Sequence, residues 1–263
     1  MADSDFVWRV NRRPRATVLE LGEYMAADDK PRETILRKLK YERIAPSLIY
    51  DKLYRAVVGF LTSPTLDRRV LDACRRDLEF ERDACAVIQR RENLQYELNA
   101  LDAFERSLNA LNIRSFIFER LPQTGRPVQS EGVHISVRPT VRIRVSRPRG
   151  KDLIGALLID HAKGIPPKTT EAELKLTNAM SHSAAILNRQ VSEILAEGGR
   201  DDEKVSTEHC IIFHTYRQQQ VCCPGNSKKM MNNIDAVCRN MARGWAGVEP
   251  PAGFDPSKAR YRG

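Results

Sequence analysis

The 263-residue sequence predicts an α+β protein, an N-terminal helical layer followed by a mixed β-sheet with flanking helices. Three observations carry that expectation. Residues 133–145 alternate apolar and polar side chains, Val133, Ile135, Val137, Val141, Ile143 and Val145 against His134, Ser136, Arg138, Thr140, Arg142 and Arg144. A period of two marks strands with one face on a core. The run from Leu153 to Lys163 is apolar almost throughout, as a strand covered on both faces must be. No glycine falls between residues 60 and 125 in a segment of helical periodicity, which indicates a continuous helical block.

Taken in order, residues 1–16 read as a basic, irregular arm with Arg12, Arg13 and Arg15 around Pro14, suited to touch a polyanion. A short helix is predicted over Val18–Ala27. The acidic Asp28-Asp29 and Pro31 then start another, reaching Tyr41. Ile35, Leu36 and Leu39 form its apolar side, and Arg32, Arg37, Lys38 and Lys40 the other, a solvated face or a phosphate contact. Ala45-Pro46-Ser47 opens a helix through Leu61, and two long helices follow, Leu66–Arg90 and Arg91–Asn112. In the last of these Leu94, Leu98, Leu101, Phe104, Leu108 and Leu111 make one stripe, for packing within the chain or for a dimer or protein partner.

Leu121-Pro122-Gln123-Thr124-Gly125 marks entry to the sheet, so the expected divisions are 1–16 arm, 17–124 helical region, 125–248 mixed-sheet core and 249–263 flexible tail. Thr170 with Glu173 reads as a capping box opening a helix to about Ala196. Gly198–Glu203 reads as an acidic surface loop, Glu208–Thr215 as a buried strand, Val221–Cys223 as a short one, and the chain past Ser227 as a last helix.

Charge is the other signal. There are 43 Lys+Arg against 34 Asp+Glu, a formal net charge of +9, and 31 of the 43 are arginine. Arginine offers a planar fork that matches phosphate and carboxylate. Arg138, Arg142 and Arg144 share a strand face, and Arg147, Arg149 and Lys151 follow in a loop; cations this close repel unless a polyanion or nearby carboxylates, such as Glu105 or Glu119, compensate. A nucleic-acid partner gripped by its phosphate backbone, without base specificity, is the functional expectation. Residues 1–13 hold no apolar core of signal-peptide length, and no run approaches the roughly 18 apolar residues of a membrane span, so a cytoplasmic, membrane-free protein is expected. The six cysteines form no CxxC pair and read as reduced thiols. Nucleophile-elbow, Walker, HExxH and dinucleotide fingerprints are absent.

The order helix, three strands, helix, strand resembles the core of the PD-(D/E)XK nuclease superfamily. Val133-His-Ile-Ser-Val-Arg-Pro139, Gly155-Ala-Leu-Leu158 and the closing Lys228…Ile234-Asp-Ala-Val-Cys238…Trp245 resemble a family of uncharacterised bacterial proteins, over roughly residues 17–248. The resemblance implies an acidic residue at the start of the second strand and an acidic-x-Lys motif on the third, holding a divalent cation that activates water. In the bacterial family the corresponding acid follows the Arg-Pro and the lysine takes the fourth place from the glycine; here those places hold Thr140 and Leu158. Asp160 and Lys163 remain as catalytic candidates, with Asp160 the metal ligand for Mg²⁺, but residues three apart on a strand face opposite ways unless a bulge intervenes. Asp152 and Glu208 are the nearest further acids. The expectation is a nucleic-acid-binding or accessory protein on a catalytically degenerate core, with no cofactor. The alternatives are a Mg²⁺-dependent nuclease and a protein-interaction module using the 94–111 stripe.

Overall fold

The computed structural model describes residues 7–44, 50–111, 113–121, 126–162 and 167–262. In chain order the elements are β1 (Val7–Asn11), β2 (Arg15–Thr17), α1 (Val18–Ala26), α2 (Asp29–Lys40), β3 (Tyr41–Ile44), α3 (Asp51–Leu61), α4 (Arg69–Ala84) and α5 (Ile88–Ser107). Then come β4 (Ile117–Glu119), β5 (Val128–Ser130), β6 (Val133–Ser136), β7 (Val141–Val145), β8 (Asp152–Asp160) and α6 (Thr170–Gly198). β9 (Glu203–His214), β10 (Gln219–Cys222), α7 (Ser227–Gly244) and β11 (Ala259–Arg262) complete the chain. The fold is α+β, as the patterning predicts.

A central sheet runs in the order β10-β9-β8-β7-β4, and only β8 and β9 are parallel. A parallel pair needs a long crossover, which α6 supplies. The apolar run of β8 sends Leu157 and Ile159 to one face and Ile154, Ala156 and Leu158 to the other. On the first face α3, α4 and α5 cover the sheet with Leu53, Phe60, Leu78, Leu101 and Phe104, against Val141, Ile143 and Phe213. On the second lie α1, α6 and α7, through Leu21, Ala184, Leu187, Ile234 and Cys238, together with Ile135 of β6. The stripe Leu94–Leu111 is thus used inside the chain: its members are buried in the first core, which leaves no seam there for a dimer.

Five expectations are corrected. The helical region is not one layer: α1 and α2 belong to the second core, opposite α3–α5, and residues 17–124 also contribute β3 and β4. Strand β6 does not join the central sheet. It pairs with β2 and β5 in a separate sheet, and β4 takes the outer place beside β7. Of the basic arm, residues 7–11 form β1, because Trp8 and Val10 alternate onto a buried face. The tail returns as β11, which pairs in parallel with β1, while Trp8 and Tyr41 pack edge-on against Phe254 at 5.6 and 4.9 Å. Lastly, α6 is capped one residue early, by Thr169, whose hydroxyl accepts the Ala172 amide; the full capping box sits on α1, between Thr17 and Glu20.

Glycine is required at one point of the central pair. The register jumps from Ile154↔Val205 to Ala156↔Cys210, and the bulged backbone crosses Gly155, where a Cβ would stand 2.0 Å from the His209 carbonyl oxygen. Gly155→Ala is therefore expected to destabilise the protein by about 3 kcal/mol in urea unfolding. Gly198→Ala, with open space around its Cα, is expected to stay within about 0.5 kcal/mol of wild type.

Candidate anion-binding cavity

The arginines of β7 are neutralised from within. Because Val141 and Ile143 face α3–α5, Arg142 and Arg144 point to the other side of the sheet, where Glu119 of the adjacent β4 is in register with Arg142. Arg142 donates to Glu203 at 2.5 Å. Arg144 Nε lies 2.8 Å from Glu119 Oε1, an ion pair without hydrogen-bond alignment, and its Nη1 is 3.7 Å from Asp152. Arg200 donates to Glu203 at 2.8 Å from the adjoining turn. Three carboxylates thus answer three guanidiniums. The expected acidic loop ends one residue sooner, since Glu203 begins β9 with a side chain only 2% exposed. Burial pushes its carboxyl up, but the hydrogen bonds and charges of Arg200 and Arg142 outweigh this and hold it below the usual range.

Arg147, Arg149 and Lys151 are exposed on the β7–β8 turn, and none has an ion pair among the described residues. They lie beyond the opposite end of β7 from Arg138, which at about 3.4 Å per residue puts more than 15 Å between the two groups. The six basic candidates therefore do not form one ribbon. They divide into a locked middle and two accessible ends.

At the Arg138 end the sheets part around a cavity of about 480 Å³. Arg9 of β1, Arg15 of β2, Lys38 of α2, Arg138 after β6 and Arg262 of β11 line it. Two carboxylates share the wall, and both are engaged. Glu42 accepts from Arg9 at 3.1 Å, and Glu20 accepts the Thr17 amide at 2.8 Å within the capping box. Among the described residues, Arg15, Lys38, Arg138 and Arg262 have no carboxylate at ion-pair distance. Arg15 is the most telling: burial, then Arg262 and Arg9, lower its pKa despite the opposing pull of Glu42. His134 on β6 is pushed down likewise, by burial and then by Arg15 and Arg262. Ala16, Leu39 and Leu158 add apolar surface to the lining, beside Ser136 and the buried Asn11.

The sequence points to part of this cavity, since the basic arm and the cationic side of α2 are both read there as phosphate contacts. On α2 only Lys38 serves. Lys40 donates to the carbonyls of Trp245, Ala246 and Val248, and Arg32 to those of Tyr24 and Ala27. Arg9 falls within the basic arm, but its place beside Arg262 depends on the β1–β11 pairing, for which there is no local signal.

The hydrolytic candidates fare differently. Thr140 is buried, its hydroxyl accepting the Ile159 amide at 3.1 Å and its own amide donating to Leu157 at 2.7 Å, so it serves the strand pairing. Leu158 is core and lines the cavity. One Asp160 carboxylate oxygen accepts the Ala162 amide at 2.8 Å, in a turn. Its neighbour across the sheet is His214, and Glu23 of α1 feels its charge, the Glu23 carboxyl being raised by burial and then by Asp160. Lys163 lies outside the described residues. His161, packed near the rings of Tyr50 and Phe104, is driven by burial and by His214 down to about 4, and is neutral at pH 7. Among the described residues no group of three or more His, Cys, Asp or Glu side chains is arranged to hold a metal ion. The described cysteines are all free thiols, and no described helix is long and apolar enough to cross a membrane.

No protein-family model matches the chain, and no curated protein matches its sequence.

The locked network has a pH signature. Glu203 has a folded pKa below its ordinary 4.5, so its stabilisation is complete above that value and is lost as the pH falls through the depressed one. Glu203→Gln is expected to cost about 3 kcal/mol at pH 7, leaving Arg142 without its buried partner. Urea unfolding of both proteins should show that difference shrinking as the pH falls below 4.5 and through the depressed value.

Proposed function

We propose that the protein binds nucleic acid through its phosphate backbone, without reading base sequence, and that the cavity at Arg138 is where phosphate is held. The observation that carries this is the gathering of Arg15, Lys38, Arg138 and Arg262 at one concave site without carboxylate partners. Guanidinium groups so placed favour phosphate oxygens, which accept two parallel hydrogen bonds from each fork. The exposed Arg147, Arg149 and Lys151 give the strand a second place to lie.

A binding or accessory role fits better than hydrolysis. The expected first strand, β6, lies in another sheet. With β5 and β6 set aside, the order α5, β4, β7, β8, α6, β9 supports a nuclease-like scaffold of helix, three strands, helix, strand, with β4 in the first strand's place. On it Thr140 and Leu158 occupy the places where the resemblance calls for an acid and a lysine, and both have structural duties instead. The same reading sets the protein in the cytoplasm with its partner.

Fluorescence anisotropy with labelled oligonucleotides across a salt series tests the proposal. The logarithm of the association constant should fall linearly with that of salt, with similar slopes for unrelated sequences. Arg138→Ala should weaken all of them alike and flatten the slope by about one. Absence of binding at low salt, or affinity that follows sequence, would contradict it.

A further inference from the structure

We infer that the cavity is made for a phosphate monoester, the terminal phosphate of a nucleic-acid strand or of a nucleotide, in preference to the diesters within a strand. The inference rests on the proposed phosphate binding and narrows it to one kind of phosphate.

The charge count favours it. An internal diester brings one negative charge and two free oxygens. A terminal phosphate brings about 1.5 to 2 charges at neutral pH and three oxygens. Five cations converge on the cavity from β1, β2, α2, β11 and the turn after β6, and among the described residues the two wall carboxylates, Glu42 and Glu20, hydrogen-bond to Arg9 and within the α1 cap. Four cations around one concave site, without an ion-pair partner among the described residues, are under-used by a single diester. A dianion accepting from several of them at once relieves their mutual repulsion; the Arg15 pKa is lowered by burial first and then by Arg262 and Arg9.

Shape points the same way. The volume, about 480 Å³, falls in the range of small-ligand sites. Surfaces that hold a running single strand commonly set aromatic rings along it for successive bases to stack on. Among the described lining residues here none is aromatic; Ala16, Leu39 and Leu158 line the cavity beside Asn11 and Ser136. The wall formed by Thr17, Val18, Leu19 and Glu20 is also the first turn of α1, whose dipole adds positive potential on the same side.

The test compares internally labelled single-stranded oligonucleotides of one sequence, with a 5′-phosphate, a 3′-phosphate or hydroxyls at both ends, in equal salt. One phosphorylated form should bind at least about tenfold more tightly than the hydroxyl form. Arg15→Ala and Arg138→Ala should bring that ratio close to one. Competition with a nucleoside monophosphate then identifies the source. Displacement at concentrations matching the oligonucleotide's own affinity assigns a free nucleotide, and failure to displace alongside a clear end preference assigns the strand terminus. Equal affinity for all three ends, with salt-sensitive binding still weakened by Arg138→Ala, would overturn this inference and leave backbone binding standing. Failure of every oligonucleotide to bind at low salt would overturn both.

Discussion

Strand β8 can leave neither face to water. Leu157 and Ile159 on one side and Ile154, Ala156 and Leu158 on the other must all be covered, and burying each of the leucines and isoleucines is worth about 1.5–3 kcal/mol. Two separate helical layers follow from that demand. The layer of α3–α5 comes from one continuous stretch of chain. The other is assembled from α1, α6 and α7, with the β2-β6-β5 sheet beside them. The parallel pairing of β8 with β9 depends in turn on Gly155, where only a hydrogen leaves room for the His209 carbonyl. Because β6 turns away into its own sheet, Arg138 is left at the junction, and the cavity opens over the end of β8 with Leu158 in its lining.

Around that frame the arginines are sorted by whether a carboxylate is within reach. Arg142 and Arg144 sit two residues apart on one face, and their repulsion is answered by Glu119, Asp152 and Glu203. Drawing such charges from water has a desolvation cost that only complete pairing offsets. At the cavity the pairing is incomplete, and positive charge is left directed at a concave surface. One residue type, with the same charge, does opposite work at the two places.

Much of the fold was legible in the sequence because its signals are local. The two-residue period gave β6 and β7, whose buried side chains alternate as predicted, and the apolar run gave β8. The leucine stripe gave α5 and its buried side. Long-range pairings were not legible. Trp8 meets Ala259 across almost the whole chain, so the ends read as loose when they are strands. The partner of Arg142 lies 61 residues away, in a stretch that looked like a surface loop. Alternation said that the arginines share a face but carried no information about which acids would meet them. Of the cavity, the arm and one side of α2 were visible as basic segments. Their convergence was not, since it is made by five segments that meet only in the folded chain.

The division of arginines into engaged and available groups can be observed directly by following the side-chain Nε–H signals by NMR as a short oligonucleotide is added at low salt. Arg15, Arg138 and Arg262 should shift together and saturate with the binding curve, while Arg142 and Arg144 stay where they are. Shifts of Arg142 and Arg144 that track saturation, with Arg15 and Arg138 unmoved, would contradict the account.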